Sequence, residues 1–300
     1  MKQSKWMWDA GLALGLASLA LPLLSLAEEE RGVGDVVYVP TPQTVVDDML
    51  RMAKVGPNDF VIDLGSGDGR MVITAVKKFG ARGFGVDLSD DLLRESNGLA
   101  LVEGITDRAR FIKQNLFETD LTQATVITSY LLPEMNEKLR PKILNLKPGT
   151  RVVAHDYHMG DWTPDEQKEL IVPEKTVGNP GRSFVYLWTV PAKVGGRWQA
   201  QIKSLAHSGN LEFEFAQRFQ KLDGTAKNGS QQIALLAPKI DGDQLSFAFF
   251  IKPGDNQTRH QFTGTVKGDT IDGTVRVGDG AAQKLFPWSA KIVQRVPGPQ

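Results

Sequence analysis

The chain has no cysteine among its 300 residues. That excludes disulfides, thiolate metal sites and a cysteine nucleophile. It leaves the compartment open, because a disulfide-free protein can live on either side of a membrane. Excess charge is missing too: 35 lysines and arginines balance 35 aspartates and glutamates. Nothing in that balance points to nucleic acid or to a strongly charged partner. Two catalytic signatures are also absent. No G-K-[ST] phosphate loop opens a helix, and no nucleophile elbow marks a serine hydrolase. The apolar run over residues 10–24 falls short of the roughly 20 residues that a membrane span needs.

That run carries a processing pattern. Lys2 and Lys5 precede it, Ser25 and Ala27 supply the small residues of a signal-peptidase site, and Glu28, Glu29 and Glu30 follow. The expectation is a signal peptide over residues 1–27, with an uncleaved membrane anchor as the alternative. Either way the positive start predicts export of the body to the periplasm or cell envelope, close to a membrane. The overall length suits two domains.

The chain is organised around residues 63–70, DLGSGDGR. Phe60, Val61 and Ile62 form a short continuous apolar run, which suits a strand buried on both faces. Beyond the glycines, Met71, Val72, Ala75, Val76 and Phe79 recur at helical spacing, and Gly80 stops them. Strand, glycine turn and helix start together offer free N–H groups and a partial positive charge to an anionic group. A dinucleotide site wants G-x-G-x-x-G, but Arg70 stands where the third glycine belongs. The pattern is instead D-x-G-x-G-x-G, carried by Asp63, Gly65, Gly67 and Gly69.

Helical and strand patterns alternate around this turn. Helices are expected over 44–54, 91–103 and 134–146, and strands over 83–88, 110–114, 125–131, 151–155 and 183–190. Residues 162–181 read as a short polar segment. The alternation implies an α/β domain over 34–190, with a mostly parallel sheet and helices on both faces. In such sheets the ligand sits beyond the carboxyl ends of the strands. Asp63, Asp87, Asn115, Tyr130 and His155 all fall at those ends. Asp87 follows Gly65 by about 20 residues, the gap at which nucleotide folds carry a ribose-binding acid. Ser89, Asp90 and Asp91 beside it also allow a helix-capping role.

The glycine pattern resembles the first motif of class I S-adenosylmethionine (SAM) methyltransferases, which are Rossmann-like. Residues 38–42, 63–70, 115–117, 130–136 and 146–162 (LKPGTRVVAHDYHMGDW) together resemble a family of bacterial SAM-dependent methyltransferases. That family is similar to small mitochondrial protein-lysine methyltransferases. The resemblance covers roughly residues 34–190. It implies SAM as cofactor and an unidentified methyl acceptor, a protein lysine in the mitochondrial relatives and otherwise a protein or small molecule. It implies that Asp63 and the turn of Gly65, Ser66, Gly67, Asp68 and Gly69 hold the methionine end. Asp87 would hold the ribose, Asn115 and Leu116 would lie beside the adenine, and Leu88 and Thr41 would complete the set. Such families usually carry aspartate where Asn115 stands. Asparagine can still pair with the adenine amino group through its carbonyl oxygen, without the charge.

Methyl transfer from a sulfonium needs an in-line nucleophile, and positioning can supply up to ~7–11 kcal/mol of the acceleration. A base helps only when the acceptor begins protonated, as lysine does. Tyr130, Glu134 and His155 are the catalytic candidates, with Asp156 beside them. His155 and His158 would point to opposite faces of a strand, so no metal is expected. The alternative function is a non-catalytic envelope binding protein that keeps the fold as a scaffold and binds its ligand or partner through the C-terminal half.

After Pro191 the helical periodicity stops. Residues 198–203, 211–219, 232–236, 245–251, 260–266, 270–277 and 288–294 read as strands. Leu211, Phe213 and Phe215 alternate with Glu212 and Glu214, giving one dry and one wet face. Turn signals stand at Asp223-Gly224, Asn228-Gly229, Asp241-Gly242, Lys267-Gly268 and Asp272-Gly273. Some seven or eight antiparallel strands predict an all-β barrel or sandwich domain over 195–296. No cluster of acids or histidines predicts catalysis there. A structural or interaction module is expected, or a site for a small apolar ligand.

Overall fold

The computed structural model describes residues 32–33, 36–202, 211–251, 258–278 and 283–296. The signal peptide expected over residues 1–27 lies outside them. Among the described residues no helix is long and apolar enough to cross a membrane.

The first half runs β1 (Gly32–Val33), β2 (Val36–Val37), α1 (Gln43–Met52), β3 (Phe60–Leu64), α2 (Arg70–Phe79), β4 (Arg82–Asp87), α3 (Asp90–Val102), β5 (Ala109–Lys113), β6 (Val126–Ser129), α4 (Pro133–Ile143), β7 (Arg151–His155), β8 (Glu166–Val172) and β9 (Gly181–Thr189). Seven of these strands form one sheet in the order β5-β4-β3-β6-β7-β9-β8. The five from β5 to β7 are parallel, and β9 runs antiparallel to both its neighbours. The chain winds outward from β3 through β4 to β5, then returns to place β6 on the other side of β3. That reversal opens a crevice at the carboxyl ends of β3 and β6.

The helices follow from local chemistry. α2 lies between two left-handed glycines, Gly69 and Gly80. α3 is capped by Ser89, whose side chain accepts from the Leu92 N–H, and Asp90 and Asp91 in its first turn complement the helix dipole. α1 buries Val45, Val46, Met49 and Leu50 on one face of the sheet. Leu139 and Ile143 of α4 pack with Trp162 and Trp188 in a second core. The strand β8 falls within the segment read as short and polar. Its residues are mostly exposed, and as an edge strand it needs no apolar run.

The second half runs β10 (Gly196–Ile202), β11 (Leu211–Arg218), β12 (Lys221–Asn228), β13 (Gln231–Ala234), β14 (Leu236–Asp241), β15 (Gln244–Ile251), β16 (Thr258–Lys267), β17 (Thr270–Val277) and β18 (Lys284–Arg295). β13 and β14 are one strand interrupted at Leu235, and both pair with β12. β18 returns to pair with β10, so the meander closes into an antiparallel barrel of eight strands. Closure removes the exposed edges that a sandwich would keep. An eight-stranded barrel is just wide enough inside to be filled by side chains. Trp198, Phe213, Phe215, Phe247, Phe249, Phe262 and Trp288 fill this one. Phe213 meets Phe247 edge-on at 4.8 Å and Phe262 at 5.3 Å between ring centroids. These rings occupy the space that an apolar ligand would need.

Two of the expected turns are strand interiors. Gly224 lies within β12 and Gly273 within β17. A side chain on Gly273 would sit 1.9 Å from the Thr263 carbonyl oxygen, so glycine serves close backbone approach there rather than a turn. The true turns, at Gly229, Gly242 and Gly268, have φ of 58°, 56° and 61°.

The halves meet at the tip of the β11–β12 hairpin. Phe219 adopts a left-handed φ of 53° and is buried in the core that contains Trp162 and Trp188. Its ring lies under the Arg140 guanidinium, 5.5 Å from the centroid. Gln220 accepts a hydrogen bond from the Trp162 indole at 2.9 Å. Arg218 reaches Asp161 at 2.7 Å.

Candidate active site

The glycine turn after β3 forms one wall of a cavity of about 290 Å³ at the carboxyl ends of the parallel strands. Gly67 has a φ of 52°, and a Cβ there would lie 2.2 Å from the Tyr38 ring. The Tyr38 ring therefore rests on the backbone of the turn, at a contact only glycine permits. Asp87 ties the same turn to the end of β4. One of its oxygens accepts from the Gly67 N–H at 2.9 Å, and the other from the Ser89 N–H at 2.9 Å. Two such bonds leave further lone pairs on the carboxylate for a ligand.

Arg70, which broke the dinucleotide pattern, has a local partner. Its Nε donates to both oxygens of Asp68 at 2.9 Å, and its Nη1 donates to the Thr41 carbonyl at 2.9 Å. Asp63 is buried and accepts from the Thr128 hydroxyl at 2.6 Å. Burial, with smaller contributions from the charges of Asp87 and Asp68, pushes its carboxyl up to about 7 against the opposing Thr128 bond.

Asp63, Gly65, Ser66, Asp68, Asp87, Leu88, Asn115, Leu116, Thr41 and Tyr130 all line the cavity. Gly67 and Gly69 shape the turn behind that lining. Asn115 is held by its own loop. Its side-chain oxygen accepts from the Phe117 N–H at 3.0 Å, which fixes the amide plane and leaves the NH₂ and the oxygen's second lone pair for a ligand. Sequence reasoning passed over Tyr38, Gln114, Phe117, Ser129 and Met135, which also line the space. Tyr38, Phe117 and Met135 fall within the stretches that carry the family resemblance, whereas Gln114 and Ser129 are signalled only by their adjacency to strand ends.

The hydroxyls of Ser66 and Ser129 are buried, line the cavity and make no hydrogen bond within the chain. Buried polar atoms require partners. Together with three carboxylates and walls of Val86, Leu92, Leu131 and Met135, they suit an amphipathic ligand that carries positive charge and several hydroxyl or amine groups. SAM is such a molecule.

The catalytic candidates separate in space. Tyr130 lines the cavity, and its hydroxyl donates to Asp156 at 3.2 Å. Burial, then the charge of Asp156, raises its pKa and keeps the phenol protonated. Glu134 is exposed in the first turn of α4, outside the lining. His155 is fully buried behind Tyr130, between the hydroxyls of Thr41 at 3.2 Å and Ser183 at 2.9 Å. Burial pushes its pKa down to about 4, so its imidazole is neutral and does not contact the cavity. His158 packs against Tyr186 in a tilted arrangement, with ring centroids 4.1 Å apart. The sequence reading missed Lys175 altogether. It reaches from the β8–β9 loop to Asp156, with its side chain 3% exposed.

Several known methyltransferases are similar to this chain in sequence. The model of the ANTKMT methyltransferase domain matches residues 63–166. A protein-lysine N-methyltransferase of Saccharolobus islandicus is 46% identical over 160 residues, covering 53% of this chain and 96% of that protein. A lysine N-methyltransferase of Mus musculus that is named for ATP synthase is 30% identical, covering 62% of this chain and 72% of its own. Among solved structures, an RNA methyltransferase from Salinibacter ruber in complex with S-adenosyl-L-homocysteine is 44% identical. That match covers 52% of this chain and 96% of the other, with a TM-score of 0.47. With its glycine turn, strand-end acids and cavity in place, and an ANTKMT methyltransferase domain matched over residues 63–166, the chain belongs to the class I SAM-dependent methyltransferases.

Proposed function

We propose that the enzyme methylates the ε-amino group of a lysine in a protein. The observation that carries this reading is the 46% identity along 96% of a protein-lysine N-methyltransferase. Relatives named as lysine methyltransferases of ATP synthase support the same acceptor class.

In this reading the carboxylate of Asp63 and the turn of Gly65, Ser66, Gly67, Asp68 and Gly69 hold the amino-acid end of SAM. Asp87 uses its remaining lone pairs for the ribose hydroxyls. The Asn115 amide donates to a ring nitrogen of the adenine, and Leu88, Leu116 and Phe117 cover its faces. The Thr41 carbonyl anchors Arg70 beside the turn. SAM supplies the electrophilic methyl on its sulfonium. The enzyme's share is to hold the acceptor nitrogen in line with that methyl and to exclude water.

The test incubates the full chain with methyl-labelled SAM and the total protein of its expression host. Label recovered as methyl-lysine after hydrolysis is the expected result, and its loss with Asp87→Ala ties it to this site. Label confined to another residue or to RNA overturns the acceptor assignment. Absence of S-adenosylhomocysteine binding by calorimetry would instead overturn the cofactor assignment.

A further inference from the structure

Behind Tyr130 lies a polar cluster that the cofactor does not explain. Asp156 and Lys175 form a salt bridge whose side chains are 0% and 3% exposed. Desolvating two charges generally offsets their attraction, and apolar residues in their place are often as stable or more stable. Asp156 also sits at a left-handed φ of 62°, a sparsely allowed conformation for a non-glycine residue. Phe184 brackets it there, accepting from the Asp156 N–H at 2.7 Å and donating to its carboxylate at 3.0 Å. Lys175 donates a second hydrogen bond to the Arg182 carbonyl at 2.9 Å. Stability gains little from this arrangement, and it stands directly behind a cavity-lining residue.

We propose that Asp156 and Lys175 are positioning residues for the acceptor amine, acting through the Tyr130 hydroxyl. The inference rests on the lysine reading above. Asp156 takes the Tyr130 hydrogen bond, which fixes the hydroxyl rotor and leaves the phenol oxygen's lone pairs for an incoming N–H. Lys175 balances the charge of Asp156. The other titratable groups around Asp156 are Tyr130 after β6, His155 on β7, Tyr157 in the following loop and Tyr186 on β9. With His155, Tyr130 and Tyr186 neutral, the opposite charges of Asp156 and Lys175 cancel.

That neutrality matters because lysine arrives as an ammonium, and only the neutral amine attacks. An unpaired carboxylate behind Tyr130 would hold the proton on the acceptor, and an unpaired ammonium would drive it off along with the acceptor itself. In the transfer, the amine lone pair forms the N–C bond while the C–S bond breaks with its electron pair left on sulfur. The surplus proton on nitrogen leaves to water.

The test measures initial rates of methyl-lysine formation by the full chain, with labelled SAM and expression-host protein, from about pH 6 to 10. S-adenosylhomocysteine affinity is followed in parallel. Tyr130→Phe is expected to lower the rate about tenfold, the worth of one hydrogen bond, with that affinity unchanged. Lys175→Met is expected to move the rate midpoint up by about one pH unit, and Asp156→Asn to move it down by about as much. Opposite shifts are the signature, because a merely structural pair would lose rate with the midpoint unmoved. Unmoved midpoints, or a Tyr130→Phe variant as fast as wild type, overturn the inference alone. If a charge variant fails to fold, Tyr130→Phe decides. A wild type that methylates no lysine overturns the lysine reading, and this inference with it.

Discussion

The two halves bury opposite kinds of interior. In the methyltransferase half, Asp63, Asp156, Lys175 and His155 are buried, and the hydroxyls of Ser66 and Ser129 are left without partners beside a cavity. In the barrel the interior is packed by seven aromatic side chains among aliphatic ones, and among the described residues only His260 is both polar and buried there. A filled interior stabilises through burial and close packing. An interior with unspent polar groups is the kind that binds and reacts. The family match, the cavity and the unpartnered hydroxyls all lie in the first half.

That contrast breaks most sharply at Phe213, the ring that touches most of the barrel cluster. Phe213→Ala is expected to cost about 3–5 kcal/mol of barrel stability in denaturant titration. S-adenosylhomocysteine affinity below the transition should not change, and a parallel loss of affinity would show that the halves are energetically one. The next effect is at the glycine turn. Gly67→Ala drives a methyl into the Tyr38 ring at a positive φ, so S-adenosylhomocysteine affinity by calorimetry should fall about 100-fold.

A smaller effect comes from Asp63. Its carboxyl, raised to about 7, meets a cationic ligand group only when ionised. S-adenosylhomocysteine affinity should weaken as pH falls below about 7, by up to tenfold per unit, and level off above. The ligand-free fold carries the opposite sign. Because the folded pKa exceeds the unfolded value, this group's contribution to stability is greatest at low pH and declines as pH rises from about 4 to 7. Asp63→Asn should therefore raise the Tm of the free protein at about pH 8 while abolishing the affinity profile. Flat affinity from about pH 5.5 to 8.5 would separate this carboxylate from the ligand's cation. The smallest expected effect is Gly229→Ala at a barrel turn open to solvent. It should cost about 1 kcal/mol from its positive φ and leave the site untouched.

Much of this was legible because it is local. The turn from Asp63 to Arg70 encodes its strand, its helix start and its backbone conformation within eight residues, and its contacts with Asp87 follow from sheet order. The barrel was legible as strands through its alternation, but Asp-Gly pairs misled the reading. Asp223-Gly224 and Asp272-Gly273 look like turns in sequence, and only the approach of a neighbouring strand shows why glycine is there. Strand β8 hid because an exposed edge needs no apolar pattern. Lys175 hid for a deeper reason. A lysine in a polar loop reads as solvated, and its burial depends on the antiparallel return of β9, which brings the loop back over Asp156.

Phe219 has a practical consequence for anyone dividing this chain. The hairpin tip packs on Trp162, and a polypeptide ending near residue 190 would leave that indole uncovered in the core it shares with Trp188, Leu139 and Ile143. Such a fragment carries a greasy patch of the kind that drives self-association. It should precipitate or pair with itself long before its chemistry is lost, so solubility rather than catalysis sets where the protein can be cut.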